Sequence, residues 1–440
     1  LNIYIMQGYK KLLLTASLVA FLIPVMGQNT DSPYSRYGYG VLNNQSIGVS
    51  RAMGGITYGV RGLDANPGNP ASYTSTDSLT FIYDMGVSYV KSRFTEGNNT
   101  QTDNNGGLDY IAMQFRVAKK LGMSFGVLPF SSVGYQFGTQ ETTNNLSTTR
   151  TFTGSGNFSQ VYLGLAYEPI KNLSVGGNVS FLFGNTKYTR NISITSIPSA
   201  NTEYALNKLT MNSLKFDLGA QYILPLNAKD HLVLGAVFSP KVSRTGKIER
   251  IKNDINSSGT VISGDTTQFT GSDAHADLPS TYGLGFTWNH DRRLTVGADV
   301  TYQNWSNVRY SEHMDDGMNK DDRFNNVWRF NTGIEYTIDP RDRAFIKRVK
   351  FRGGLNYSNS YVNVQNDLGE ISGYKEYGAT LGVGLPIRDV VYSGRTSYIN
   401  INFEYRSLNP NKTNLIREQY FGISVGVCIN ELWFMKNKLR

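Results

Sequence analysis

The sequence predicts an all-β fold: an antiparallel transmembrane β-barrel of about 14 strands with an N-terminal hatch or plug segment. Three observations predict it. Apolar and small polar residues alternate with period two along one segment after another. The connections between those segments are long and short in turn. The stretch before the first of them lacks alternation and is rich in Gly, Asn, Ser and Tyr.

The first element is residues 1–27. Lys10-Lys11, the apolar run Leu12 to Val25, and Val25-Met26-Gly27 before Gln28 have the three parts of a secretory signal peptide. The run is shorter than the ~20 residues a spanning helix needs, which argues against a membrane anchor. The single Cys is far from Gly27, which excludes a lipid-modified N-terminus.

Residues 28–78 form the plug. They contain Ser32-Pro33-Tyr34-Ser35-Arg36-Tyr37-Gly38, Arg51-Ala52-Met53-Gly54-Gly55 and Asn66-Pro67-Gly68-Asn69-Pro70-Ala71-Ser72-Tyr73. Asn66, Asn69 and Pro70 have two readings: a hatch element that touches ligand or moves when ligand binds, or turn chemistry that fixes the path of the chain.

Residues 79–440 carry the strands, centred roughly on 86, 113, 129, 163, 180, 215, 238, 283, 300, 332, 355, 380, 399 and 422. Leu173, Val175, Gly177, Val179, Phe181 and Phe183 oppose Ser174, Gly176, Asn178, Ser180, Leu182 and Gly184. Leu294, Val296, Ala298, Val300 and Tyr302 oppose Thr295, Gly297, Asp299, Thr301 and Gln303. Mean hydropathy is only −0.33, as expected where each strand gives one face to lipid and one to the lumen. Tyr302, Trp305, Tyr336, Tyr357, Tyr405, Trp433 and Phe434 are candidates for the aromatic girdles, although aromatics suit strands in any case.

The connections set the orientation. Polar stretches at Glu96 to Gly107, Thr139 to Gly156, Asn191 to Asn207, Arg250 to Asp277 and Asn307 to Asn325 read as long loops. Between them come Lys119-Lys120, Glu168 to Asn172, Asn227 to Asp230 and His290-Asp291, which read as short turns. Short periplasmic turns opposite long external loops are the pattern of a bacterial outer-membrane barrel, with both termini periplasmic and an even number of strands. Lipid and lipopolysaccharide would then surround the wall.

The third segment, Leu121 to Gly138, holds Pro129 in mid-strand with Gly126 and Gly134 around it. Proline has no N–H for the ladder and glycine weakens pairing, so a break or bulge is expected there. Either this is a gate in the wall, or Pro129 lies beyond the bilayer and merely ends pairing.

Composition closes other routes. The net charge of +9 is spread over short clusters such as Lys119-Lys120, Asp291-Arg292-Arg293 and Arg341 to Lys350, so no stripe for nucleic acid forms. One Cys, Cys428, permits no internal disulfide and falls on the small polar face of the last strand. Gly422-Ile423-Ser424-Val425-Gly426 matches a nucleophile elbow but lies inside an alternating strand, so it is a chance match and no enzyme is expected. His231, His275, His290 and His313 have no metal-ligand spacing. Glu312, Asp315, Asp316, Asp321 and Asp322 lack the ordered spacing of a calcium loop and read as a solvated loop. No cofactor or metal is expected.

The order of signal peptide, Ala/Met/Gly segment, Asn-Pro-Ala and barrel resembles the FadL family of long-chain fatty-acid outer-membrane transporters. Ser32 to Gly38, Gly297-Ala298-Asp299-Val300-Thr301-Tyr302-Gln303-Asn304-Trp305 and Asn430-Glu431-Leu432-Trp433-Phe434 are similar to its Bacteroidetes branch. That resemblance implies passive outer-membrane transport of a hydrophobic or amphipathic, fatty-acid-like small molecule. Met53, Gly54, Asn66, Asn69 and Pro70 would belong to the moving hatch, and Gly126, Pro129 and Gly134 to a kinked third strand that releases ligand sideways. FadL-like barrels in Bacteroidetes also include subunits of secretion machines. The alternative is therefore an accessory or scaffold subunit of an outer-membrane protein secretion or assembly complex, with other outer-membrane proteins as partners.

Overall fold

The computed structural model describes residues 32–62, 64–197, 199–311, 322–366, 368–388 and 395–432. The signal peptide, the girdle candidates Trp433 and Phe434, and Glu312, His313, Asp315, Asp316 and Asp321 lie outside the described residues.

The wall begins with β1 (Thr80–Glu96), β2 (Asn99–Ala118), β3 (Leu121–Thr143), β4 (Leu146–Ile170), β5 (Leu173–Ile194) and β6 (Thr202–Pro225). β7 and β8 are each broken once, β7 running as Asp230–Ser239 and Thr245–Ile255 and β8 as Val261–His275 and Ser280–His290. Pro240 and Pro279, which cannot donate to a ladder, stand in the two breaks. The wall continues with β9 (Leu294–Asn304), β10 (Val327–Thr337), β11 (Lys350–Asn359), β12 (Tyr374–Arg388), β13 (Thr396–Pro410) and β14 (Arg417–Leu432). Neighbours pair antiparallel, and β14 pairs with β1 from Leu432–Thr80 to Arg417–Thr95, which closes a barrel of 14 strands. No helix among the described residues is long and apolar enough to cross a membrane.

Period two sets the two faces. On β5, Val175, Val179 and Phe181 are exposed outward, while Ser174, Asn178, Ser180 and Leu182 are buried inward. Cys428 is buried on the inner face of β14. The outward residues form an apolar belt, and paired aromatics run around it. Phe238, Tyr282, Tyr302, Trp328 and Phe330 are linked by ring centroids 5.2, 6.4, 4.9 and 6.4 Å apart, and Tyr357 and Tyr377 continue the row. Tyr336 is exposed, and Tyr405 packs on Phe421.

Trp305 is not a girdle residue. It is 1% exposed and turned into the lumen, its indole N–H donating to Gln303 Oε1 at 2.9 Å. β9 ends at Asn304, so alternation no longer dictates direction, and the connection after it folds in over the barrel. There Trp305, Tyr310, Phe324 and Tyr361 pack with Tyr39 of the plug segment.

Most of the expected long loops are strand. β3 to β6 are 23, 25, 22 and 24 residues long, whereas the described spans from β9 to β14 run from 10 to 16. The stretch read as Thr139 to Gly156 is a hairpin closed by Asn144 and Asn145, whose φ values of 51° and 64° suit a tight two-residue turn. Glu96 to Gly107 is likewise strand except for Gly97 and Asn98. These ribbons of Thr, Ser and Asn carry no apolar belt, so both faces are polar and period two vanishes from the sequence although the strands persist. Among the described residues, irregular connections remain at 305–311 and 322–326, and 360–373 holds only the short ribbon Val364–Gln365 paired with Ile371–Ser372.

Candidate functional site

The segment before β1 lies inside the barrel and rests on glycines. Inward-facing Gly176, Gly219, Gly235, Gly333 and Gly354 come from five different strands, and each meets plug backbone or Pro70 closely. A methyl group added to Gly354 would stand 2.1 Å from Gly54 N, and one added to Gly235 would stand 1.9 Å from Tyr58 O. Only glycine admits main chain this close to a strand.

The predicted hatch residues sit in this seat. Met53 packs with Val49 and Ile56, beside the helix α1 (Gly48–Ala52). Gly54 has φ 65°, in the region glycine favours, and its N–H donates to Thr380 Oγ1 at 2.9 Å. Asn66 donates to Thr57 O at 2.8 Å and Val60 O at 3.1 Å. Asn69 donates to Tyr58 O at 2.7 Å, while its Oδ1 accepts from Ala71 N at 3.1 Å and so caps the 3-10 turn Pro70–Ser75. Pro70 opens that turn, where its fixed φ is already suitable, and lies over Gly176 and Gly219.

Wall side chains complete the fixing. Asp299 accepts the N–H groups of Thr57 at 2.5 Å and Tyr58 at 2.9 Å. Arg61 donates to Gln221 Oε1 at 2.8 Å, Ser174 Oγ at 3.1 Å and Thr74 Oγ1 at 2.9 Å. Burial lowers the Arg61 guanidinium to about 10.

The wall is incomplete at β3. Pairing between β2 and β3 ends at Ile111–Val127, although β1–β2 pairing continues to Glu96–Asn99 and β3–β4 pairing to Thr143–Leu146. Gly126 is one residue before that last rung, with Ile111 O so near that a side chain would not fit. Between Pro129 and Ser131 the β3–β4 register shifts by a bulge. Beyond it β3 bonds to the plug segment instead of β2. The short strand Val41–Leu42 pairs with Ser132 and Ser131, Asn43 N donates to Phe130 O at 2.9 Å, and Ser32 N donates to Gly134 O at 2.7 Å.

Behind the gap is a cavity of about 110 Å³ lined by Asn43, Arg51, Asp109, Pro129, Glu404 and Arg406, among others. Arg51 from α1 reaches Asp109 on β2 at 2.5 Å and Glu404 on β13 at 3.5 Å. Burial opposes its charge, but these carboxylates outweigh burial and hold its pKa above the ordinary value. A second cavity of about 150 Å³ also touches Asn43 to Ser46 and is lined by Gln160, Lys215, Asp217, Trp305 and Arg329. Sequence reading missed Arg51, Asp109 and Glu404, because nothing local links residues so far apart in the chain. A charged residue in a helix otherwise made of small and apolar residues was the one available signal.

The other candidates are dispersed. His290 Nδ1 lies 2.7 Å from Asp230 Oδ1. Gly422 to Gly426 lies within β14, with no turn to expose Ser424. Among the described residues no three His, Cys, Asp or Glu side chains gather as metal ligands.

The sequence model of the BamG family matches residues 9–440. The chain belongs to the BamG family. No curated protein matches this BamG-family chain. Among solved structures it is similar to a Pseudomonas aeruginosa FadL homologue, at 14% identity over 90% of this chain and 100% of that one, with a TM-score of 0.59. It is also similar to the Ralstonia pickettii toluene transporter TbuX, at 15% identity over 88% and 98% of the two chains, TM-score 0.55. The P. putida toluene transporter TodX shares 14% identity over 90% and 100%, TM-score 0.55. These likenesses establish the barrel fold of this BamG-family member, and the structures concerned are transporters and channels rather than enzymes.

Proposed function

We propose that the protein is an outer-membrane barrel that passively admits hydrophobic or amphipathic small molecules, fatty-acid-like or hydrocarbon. The observation that carries this reading is the gap between β2 and β3, which opens on the cavity at Arg51 and Asp109. The likeness in fold to the toluene transporters TbuX and TodX supports it. The long hairpins face outward, both termini lie in the periplasm, and the belt contacts outer-membrane lipid, with lipopolysaccharide at the outer rim. Ligand enters from the long-hairpin end, and the hatch bearing Met53, Gly54, Asn66, Asn69 and Pro70 shifts on its glycine seat. Release is lateral, where Gly126, Pro129 and Gly134 let β3 part from β2. Uptake of toluene and of a long-chain fatty acid by deletion cells carrying the wild-type or the Pro129→Val protein tests the proposal. Reduced uptake by the variant supports it, and equal uptake with and without the gene defeats it.

A second reading is an accessory or scaffold subunit of an outer-membrane secretion or assembly complex. The filled lumen favours it: the two central cavities are small, and amide and charged side chains share their linings with apolar ones. Gentle solubilisation and co-purification separate the two, because a stoichiometric complex supports the scaffold and a lone barrel the transporter.

A further inference from the structure

Among the described residues, the end of the barrel that carries the short turns has one long connection. At 119–120, 171–172, 226–229 and 291–293 the chain simply reverses, which antiparallel neighbours can do in two residues. β10 and β11 are instead joined by 338–349. This connection doubles back on itself, with Asp339 N donating to Lys347 O at 2.9 Å, and a 3-10 turn at Ile346–Arg348 returns the chain to the wall. It adjoins the turn between β8 and β9, where Thr337 N donates to Arg293 O at 2.7 Å.

Two chemistries meet on it. Phe345 is 51% exposed and Ile346 62%. Ile338 is exposed too and follows Ile334 and Tyr336 on the outward face of β10, while Phe351, the register partner of Tyr336, is exposed on β11. The apolar belt therefore runs down to the foot of the connection. The same stretch carries Arg341, Arg343, Lys347 and Arg348, and the adjacent turn adds Arg292 and Arg293, against Asp291, Asp339 and Asp342. Arg293 lies 3.6 Å from both Asp291 and Asp339, Arg341 lies 3.5 Å from Asp291, and Lys347 lies 2.7 Å from Asp342. Every one of these carboxylates is thus engaged. Among the described residues the side chains of Arg292, Arg343 and Arg348 have no hydrogen-bond or ion-pair partner, and Arg292 and Arg343 are exposed. The two connections together hold three more cations than carboxylates.

A loop surrounded by water gains nothing by exposing two adjacent large apolar side chains, and surplus like charges repel one another. An anionic phospholipid surface answers both, because its phosphates pair with guanidinium groups and its acyl boundary receives apolar ones. We propose that the 338–349 connection binds anionic phospholipid of the inner leaflet, with Arg292 and Arg343 on the phosphates and Phe345 and Ile346 in the boundary between head groups and acyl chains. Continuity of the patch with the belt favours lipid over a soluble protein as its occupant. The proposal rests on the reading that seats the barrel in a membrane with its short turns in the periplasm, and is independent of what passes through it.

The full-length protein in vesicles of phosphatidylethanolamine and phosphatidylglycerol tests it. Ala344→Cys puts a thiol on the exposed connection, where a fluorophore is attached while Cys428 stays buried. Nitroxide-labelled phosphatidylglycerol should quench this fluorophore at least about three times as strongly as nitroxide-labelled phosphatidylethanolamine at equal mole fraction. The preference should vanish in the Arg292→Gln/Arg343→Gln protein and fall with added salt. A fluorophore on Ile334→Cys, in the belt, should be quenched by both lipids alike. Equal quenching at 344 by the two lipids, or a preference kept by the double variant, overturns the proposal. So does quenching at 334 without any at 344, which leaves the patch to a periplasmic protein. Quenching at neither position means that the membrane reading itself has failed and takes the proposal with it.

Discussion

Arg51 in the plug helix meets Asp109 of β2 at 2.5 Å, two residues beyond Ile111, where β2 last pairs with β3. The contact ties the plug to the free edge of the gap. Asp109 is further fixed by Ser88 Oγ, which donates to it at 2.6 Å.

Removing one partner should loosen this corner. Arg51→Met leaves Asp109 and Glu404 without their cation, at a cost of about 1–3 kcal/mol. Hydrogen exchange of residues 43–55 should speed up, while exchange across β9 and β10 stays as in wild type. Unchanged exchange at 43–55 would mean that the ion pair does not hold the plug.

The glycine seat is tested by two adjacent residues on β11. Gly354 faces the plug so closely that a methyl there would meet Gly54 N at 2.1 Å, whereas the nearest atom to a methyl on Gly353 is 3.7 Å away. Gly354→Ala should destabilise the plugged state by about 1–3 kcal/mol, as overpacked sites do. Gly353→Ala should stay within about 0.5 kcal/mol of wild type. Unfolding midpoints in detergent and proteolysis of the plug segment give the comparison, and equal behaviour of the two variants would deny that the plug rests there.

Two tryptophans separate girdle from lumen. Trp328 is 48% exposed on the belt, and Trp305 is 1% exposed beneath the aromatic cluster. In single-tryptophan proteins reconstituted into brominated lipid, Trp328 fluorescence should be quenched and Trp305 fluorescence spared. Quenching of Trp305 would restore it to the girdle.

The legible part of the fold is the part that touches lipid. Val175, Val179 and Phe181 alternate with Ser174, Asn178 and Ser180 because one face must be apolar, and every strand carrying such a belt stands where period two put it. The hairpin tips around Asn144 and Asn145 could not be read that way, since water on both faces removes the pattern. Trp305 reads as a girdle residue only for being a tryptophan, whereas it lies on the inward side with Thr301 and Gln303, just past the end of β9. At the site, Pro129 declared an irregularity through its missing N–H, and the structure has a bulge beside it. Arg51 with Asp109, and the opposition of plug carbonyls to wall glycines, are long-range pairings with no local signature.

Locking the plug to β3 is the most direct test of hatch movement. Val41 and Ser132 are register partners in an antiparallel pair, so their Cα atoms fall within the ~4.4–6.8 Å that a disulfide spans. A Val41→Cys/Ser132→Cys protein with Cys428→Ser should cross-link on oxidation. The expected result is that toluene uptake stops in the cross-linked form and returns on reduction. Full uptake with the cross-link verified by mass would contradict passage by movement of the plug.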